Sequence, residues 1–166
     1  MQPTDIAHLA GIFDASGTIT VHISEEESYA IGYRYKPMLR MHRPPWDGPL
    51  MGKLDEYCEE NHVRYWVNDD EREADESYEF VVTDPHSIVN FLDPMLEYFV
   101  TKYEPSIVMG DILAGVAEDK HKTKAGLIEL AEKADELREY SRHGPDSKHT
   151  AEYFRSLWKN ETNGIS

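Results

Sequence analysis

Two clusters of side chains in this sequence have the types and spacing to do chemistry. One lies near the N-terminus, where the apolar run Leu9-Ala10-Gly11-Ile12-Phe13 passes into Asp14-Ala15-Ser16-Gly17-Thr18-Ile19. Ala10 and Gly11 are small enough for two helices to approach closely. The acidic end of the run, followed at once by Gly17, puts carboxylate chemistry where the backbone turns from helix to strand. The other cluster is the window Ser28 to Trp46, which holds Arg34, Lys36, Arg40 and Arg43 and no acid. Arg34, Lys36, Arg40 and His42 share parity, so on a regular strand they project from one face. Arg64 and Trp66 stand in the same relation further on. A two-stranded ribbon can enter the major groove of DNA, where arginine is the commonest reader of guanine. The competing reading is a solvated sheet face, with Pro37 able to shift the parity.

The basic window stands out because the whole chain is acidic. Its 166 residues carry 17 Lys and Arg against 32 Asp and Glu, a net charge of −15. Such a surplus repels phosphate, so any nucleic-acid contact must be local. Ten Tyr, five Phe and three Trp argue against a disordered acidic chain. An acidic surface suits a halophilic protein in a molar-salt cytoplasm, where the Debye length is only ~3 Å at 1 M. The single cysteine, Cys58, excludes an internal disulfide framework and a multi-cysteine zinc site. The eight histidines are dispersed without an HxxxH pair. No apolar run approaches the ~20 residues of a membrane helix, so no membrane partner and a cytoplasmic location are expected. A phosphate-cradling Gly-rich loop and a GxSxG elbow are both missing from the sequence.

The elements that must position these side chains follow from periodicity and punctuation. Thr4 is placed to cap a helix from Asp5 to Ala15, with Gly17 in the left-handed C-terminal position. Ile19 to Ile23 alternates as a strand, Glu25 to Ser28 reads as a turn, and Tyr29 to Arg43 is a long second strand. Asp47 caps a second helix through Leu50, Leu54, Tyr57 and Cys58. His62 to Val67 is a third strand, Asn68 to Glu76 a solvated hairpin loop, and Tyr78 to Val82 a fourth strand. Asp84-Pro85 opens a third helix that Pro94 breaks or kinks. Helices follow from Glu104 to Ala117, Lys124 to Arg142 and near Lys148 to Trp158. The order αββαββα makes one α+β domain, with a core over 1–118 and a helical C-terminal extension over 119–166.

Leu9-Ala10-Gly11-Ile12-Phe13-Asp14-Ala15-Ser16-Gly17 closely resembles the signature of the LAGLIDADG homing endonucleases. Six of its nine letters are identical, Ile12 and Phe13 are apolar replacements, and Ser16 departs from the pattern. The resemblance implies a LAGLIDADG-type fold with a saddle-shaped antiparallel sheet that reads double-stranded DNA. Arg34, Lys36, Arg40, His42, Arg64 and Trp66 then fall where DNA contacts are expected. One full motif implies a homodimer whose motif helices pack through Leu9, Ala10, Gly11 and Phe13. A second near-match, Leu113 to Lys120, lacks the terminal glycine and is followed by too little chain for another four-stranded half. The implied catalytic set is Asp14, Ser16, Arg43 and Lys102, with Mg2+ held at Ala15 and Ser16 if the protein is active.

Ser16 puts that activity in question. Serine carries no charge, and hard cations want carboxylate oxygen. Asp14 lies two residues earlier, about 200° around a helix axis, and does not simply substitute. Three functions follow. The first is sequence-specific DNA binding with cleavage weakened by Ser16. The second is an active intron-associated homing endonuclease. The third is an acidic protein-interaction module without nucleic-acid binding.

Overall fold

The computed structural model describes residues 1–43, 48–70, 77–141 and 147–162. It opens on α1 (Pro3–Ser16), two residues longer at the front than the sequence suggests. The N-cap is Gln2 rather than Thr4, because Pro3 takes the first helical position, where its missing N–H costs nothing. Asp5 then accepts the Gln2 backbone N–H at 3.3 Å. At the other end α1 runs straight into β1 (Gly17–Glu25). Gly17 is extended, with φ −78° and ψ 161°, not left-handed. Its lack of a side chain serves a different purpose, since a Cβ there would lie 2.4 Å from the Phe13 ring.

The remaining strands are β2 (Tyr33–Arg43), β3 (Trp66–Asp70) and β4 (Ser77–Val82). With β1 they form one antiparallel sheet in the order β1-β2-β4-β3. β4 pairs antiparallel with both neighbours, setting His42 opposite Glu79 and Glu79 opposite Asn68. β2 begins four residues later than Tyr29, after a loop in which Gly32 takes φ +79°. β3 is shifted too: Asn68, Asp69 and Asp70 belong to the strand, not to the hairpin loop. The helices after α1 are α2 (Gly48–Glu60), α3 (Pro85–Leu92), α4 (Tyr103–Ala117), α5 (Lys124–Glu139), α6 (Ala151–Leu157) and the short α7 (Lys159–Thr162). Asp84 caps α3 as expected, accepting the Ser87 N–H at 3.0 Å. Asp93–Tyr98 continues α3 as a tighter 3-10 segment that absorbs Pro94. Asp47 lies outside the described residues. Among those described, no helix is long and apolar enough to cross a membrane.

The chain packs as two compact units, whose boundaries cut across the division at residue 118. The first joins Met1–Ile19 to Met38–Ile107. Its centre is Phe91, edge-on to Phe13 at 5.2 Å and Tyr57 at 5.6 Å, with Phe80 at 5.7 Å. The buried Tyr57 hydroxyl donates to the Phe91 carbonyl at 2.6 Å. The second unit joins Thr20–Pro37 to Val108–Ser166. There Val21, Ile23 and Tyr35 are buried, as are Met109, Ile112, Leu127 and Leu130. The Tyr35 hydroxyl donates to the Leu130 carbonyl at 2.9 Å. Tyr33 meets Phe154 edge-on at 4.9 Å, and its hydroxyl lies 3.0 Å from that of Tyr153.

The helix-to-strand junction depends on the bare Gly17 backbone. Gly17→Ala drives a methyl into the Phe13 ring and is expected to cost about 1–3 kcal/mol, as other overpacking changes do. Gly52→Ala on α2, where a Cβ likewise meets nothing within 4 Å, serves as the control. Denaturant melts in which the two variants match would contradict this account of the junction.

Candidate functional site

The C-terminal end of α1 is built around the Asp14 carboxylate. Its Oδ1 accepts the backbone N–H groups of Val100 at 3.2 Å, Thr101 at 2.9 Å and Lys102 at 2.8 Å. Those amides lead directly into α4, so Asp14 caps the approach to a helix 88 residues away in sequence. The contact is reciprocal, since Lys102 Nζ donates to the Asp14 carbonyl at 3.0 Å. Burial holds the Lys102 ammonium below its ordinary pKa of 10.5, against the upward pull of Asp14. Ser16 Oγ donates to the Ile12 carbonyl at 2.6 Å, closing the last turn of α1. Ala15 is exposed. Arg43 ends β2, and its side chain lies outside the described residues.

This arrangement does not fit a divalent cation. The one carboxylate of the motif is committed to three amides, and the Ser16 hydroxyl faces back along its own helix. Among the described residues no group of three His, Cys, Asp or Glu side chains could hold a metal ion. Among the described residues of one chain, magnesium, which wants carboxylate oxygens and tight octahedral geometry, finds no such donor set.

The structure divides the expected interface residues of α1. Leu9, Ala10 and Phe13 are 4 %, 0 % and 1 % exposed, turned into their own unit. They occupy the inner stripe of the helix. The outer stripe is Thr4, His8, Gly11 and Ala15, all exposed at helical spacing. Of the four expected residues, only Gly11 faces outward.

Along β2 the alternation is unbroken. Tyr35, Pro37, Leu39 and Met41 are buried, while Arg34, Arg40 and His42 are exposed and Lys36 is half-buried. Pro37 takes an inward position and does not shift the parity. Arg34 and Lys36 belong to the second unit, Arg40 and His42 to the first. Arg40 meets Glu79 of β4 in a two-point ion pair, Nε to Oε1 at 2.7 Å and Nη2 to Oε2 at 2.8 Å. Trp66, opposite Val81 on β3, is 43 % exposed. Arg64 lies before β3 rather than in it, because pairing with β4 starts only at Trp66. Its guanidinium sits 3.4 Å from Asp84. Hydrogen bonds from Ser87, and to a lesser extent Arg64, hold that carboxyl below its usual range.

From the sequence Glu79 has no role and Asp84 is placed only as the cap of α3, not beside Arg64. Glu79 lies in an alternating strand and was assignable to an outer face. Which cation it meets depends on cross-strand register, which a single sequence does not state.

Two outcomes follow at the motif end. Removing three charge-assisted acceptances, Asp14→Ala is expected to lower stability by about 1.5–3 kcal/mol; a melt unchanged from the parent would contradict the capping role. For Lys102, the folded pKa is lowered, so between that value and 10.5 the unfolded chain holds a proton the folded chain has lost. Stability from this group therefore rises with pH across that window. Comparing the parent with Lys102→Met by denaturant melts, the difference should move in the parent's favour as pH climbs. A difference that stays flat would count against burial as the cause.

No protein-family model and no curated protein matches this sequence. Solved structures do. The homing endonuclease I-CvuI, in complex with DNA, aligns over 95 % of this chain and 94 % of its own, with TM-score 0.78 and 23 % identity. The archaeal intron-encoded homing endonuclease I-Vdi141I, also complexed with DNA, aligns over 97 % and 98 %, with TM-score 0.77 and 18 % identity. The LAGLIDADG meganuclease I-CpaMI aligns over 98 % of this chain but 50 % of its own, with TM-score 0.71 and 16 % identity. Nearly the whole of this chain is thus built on the fold of the LAGLIDADG homing endonucleases.

Proposed function

We propose that this chain is a sequence-specific double-stranded DNA-binding protein, acting as a homodimer and lacking metal-dependent cleavage. The observation that carries the reading is the alternation of β2, which exposes Arg34 in the second unit and Arg40 and His42 in the first, with Lys36 half-buried. In a chain of net charge −15, exposed cations at Arg34 in one unit and Arg40 in the other are local exceptions. Neighbours of the same fold are DNA complexes, which supports the same use of the sheet here.

The homodimer rests on one motif per chain and on the outward stripe of Thr4, His8, Gly11 and Ala15. Gly11 and Ala15 allow two helices to approach closely, while Leu9, Ala10 and Phe13 hold each helix to its own protomer. Asp14 and Lys102 are positioning residues that tie α1 to the start of α4. Ser16 closes the helix. With these groups committed, binding is independent of magnesium and strand hydrolysis has no chemical basis at this site.

A duplex enriched from a randomised DNA pool tests the reading. Its affinity should fall by a factor of about 1,000 or more between 50 and 200 mM salt. Arg34→Ala and Arg40→Ala should each weaken it about tenfold, whereas Ser16→Ala and chelation by EDTA leave it unchanged. The bound duplex should stay intact in Mg2+ or Mn2+. A pool that yields no enriched sequence would overturn the binding; nicking by the parent protein would overturn the loss of cleavage.

A further inference from the structure

Arg40 and Glu79 form a cross-strand unit with its own chemistry. The guanidinium has five N–H donors in a fixed plane. Glu79 takes two of them along one edge, through Nε at 2.7 Å and Nη2 at 2.8 Å. That leaves the outer edge, one N–H of Nη2 and one of Nη1, as a parallel fork with its direction fixed by the carboxylate. The pair sits on a defined grid. Arg40 is the Cα partner of Val81, itself opposite Trp66, and Glu79 lies between His42 and Asn68 in the next row. The Glu79 side chain is the less exposed of the two, 22 % against 47 % for Arg40, so the acid lies nearer the sheet with the arginine reaching past it.

We infer that Glu79 is a specificity-determining positioning residue, holding Arg40 as a reader of guanine at one base pair of the target. The inference rests on the proposed DNA binding. A fork of two parallel donors matches the O6 and N7 acceptors of guanine in the major groove. Adenine offers N7 but sets its N6 donor group against the second N–H. A free arginine rotates and accepts phosphate or several bases, whereas one held along its Nε edge presents a single geometry. Glu79 also places a negative charge near the duplex, which penalises a poorly seated backbone. An exposed ion pair with only a structural role adds little to stability and carries no base preference.

The test compares base preference, position by position, for the parent, Arg40→Ala, Glu79→Ala and Glu79→Gln selected against one randomised duplex pool. The parent should require guanine at one position per half-site, with a discrimination of about tenfold or more. Arg40→Ala should lose that requirement there and nowhere else. Both Glu79 variants should relax it severalfold while keeping or raising affinity for the pool as a whole, since a negative charge has been removed. Replacing that guanine with 7-deazaguanine should weaken the parent but leave Arg40→Ala unaffected. Thermal melts confirm folding, and Glu79→Gln keeps the shape if Glu79→Ala does not fold. A parent that selects a site while the Glu79 variants keep the same guanine requirement would overturn this inference alone. A parent that selects nothing would overturn it together with the DNA-binding reading.

Discussion

A single carboxylate does much of the organising in this molecule. Asp14 ends the motif helix, yet its oxygens face the amides of Val100, Thr101 and Lys102 at the entrance to α4. Charge-assisted bonds to backbone N–H groups are about twice as strong as neutral ones, and three of them fix both partners. The Lys102 ammonium reaches back to the Asp14 carbonyl, so the tether is closed from both sides. Two consequences follow. The end of α1 is held where Gly17 can enter β1 without a turn, against the face of Phe13. The carboxylate is also spent on structure, so chemistry at this point would need an acid from the neighbouring Ser16 position. Serine there completes the last helical turn instead. The architectural role of this motif is carried by the Asp14 tether and the Ser16 helix closure.

The acidic surplus and the DNA-facing reading are compatible because electrostatics acts locally. At the salt concentrations of an ordinary cell, the Debye length is near 8 Å, shorter than the separation between most surface charges and a given phosphate. On the proposed reading a duplex would meet the exposed cations of β2, not the net charge. Among the described residues, two acids near these cations are paired in place. Glu79 is bound to Arg40 and Asp84 to Ser87 and Arg64. They aim cations where elsewhere on the surface acids repel.

Much of this was legible in the sequence, for identifiable reasons. The αββαββα order came through because Gly17, Pro85 and the alternation of Ile19 to Ile23 are strong local signals. The outward parity of β2 was legible because the strand period is two, and it survived Pro37. Errors cluster where a local signal competes with a tertiary one. Gly17 reads as a left-handed cap by habit of position, but its reason is the Phe13 ring, which only packing reveals. Leu9, Ala10 and Phe13 read as an interface because small and apolar residues suit one, yet the same residues suit a protomer core. The Arg40–Glu79 and Asp14–Lys102 contacts span 39 and 88 residues. No period or spacing encodes such distances.

The central claim is that the outer face of β2 and the start of β3 meet a duplex and leave it uncut. Photo-cross-linking tests it most directly, using the enriched duplex with 5-iodouracil placed across its major groove and magnesium present throughout. Mass spectrometry should find the adducts on peptides containing His42 or Trp66, with both DNA strands full length apart from the adduct. Adducts confined to α5 and α6, or strands broken at a defined site, would contradict the claim.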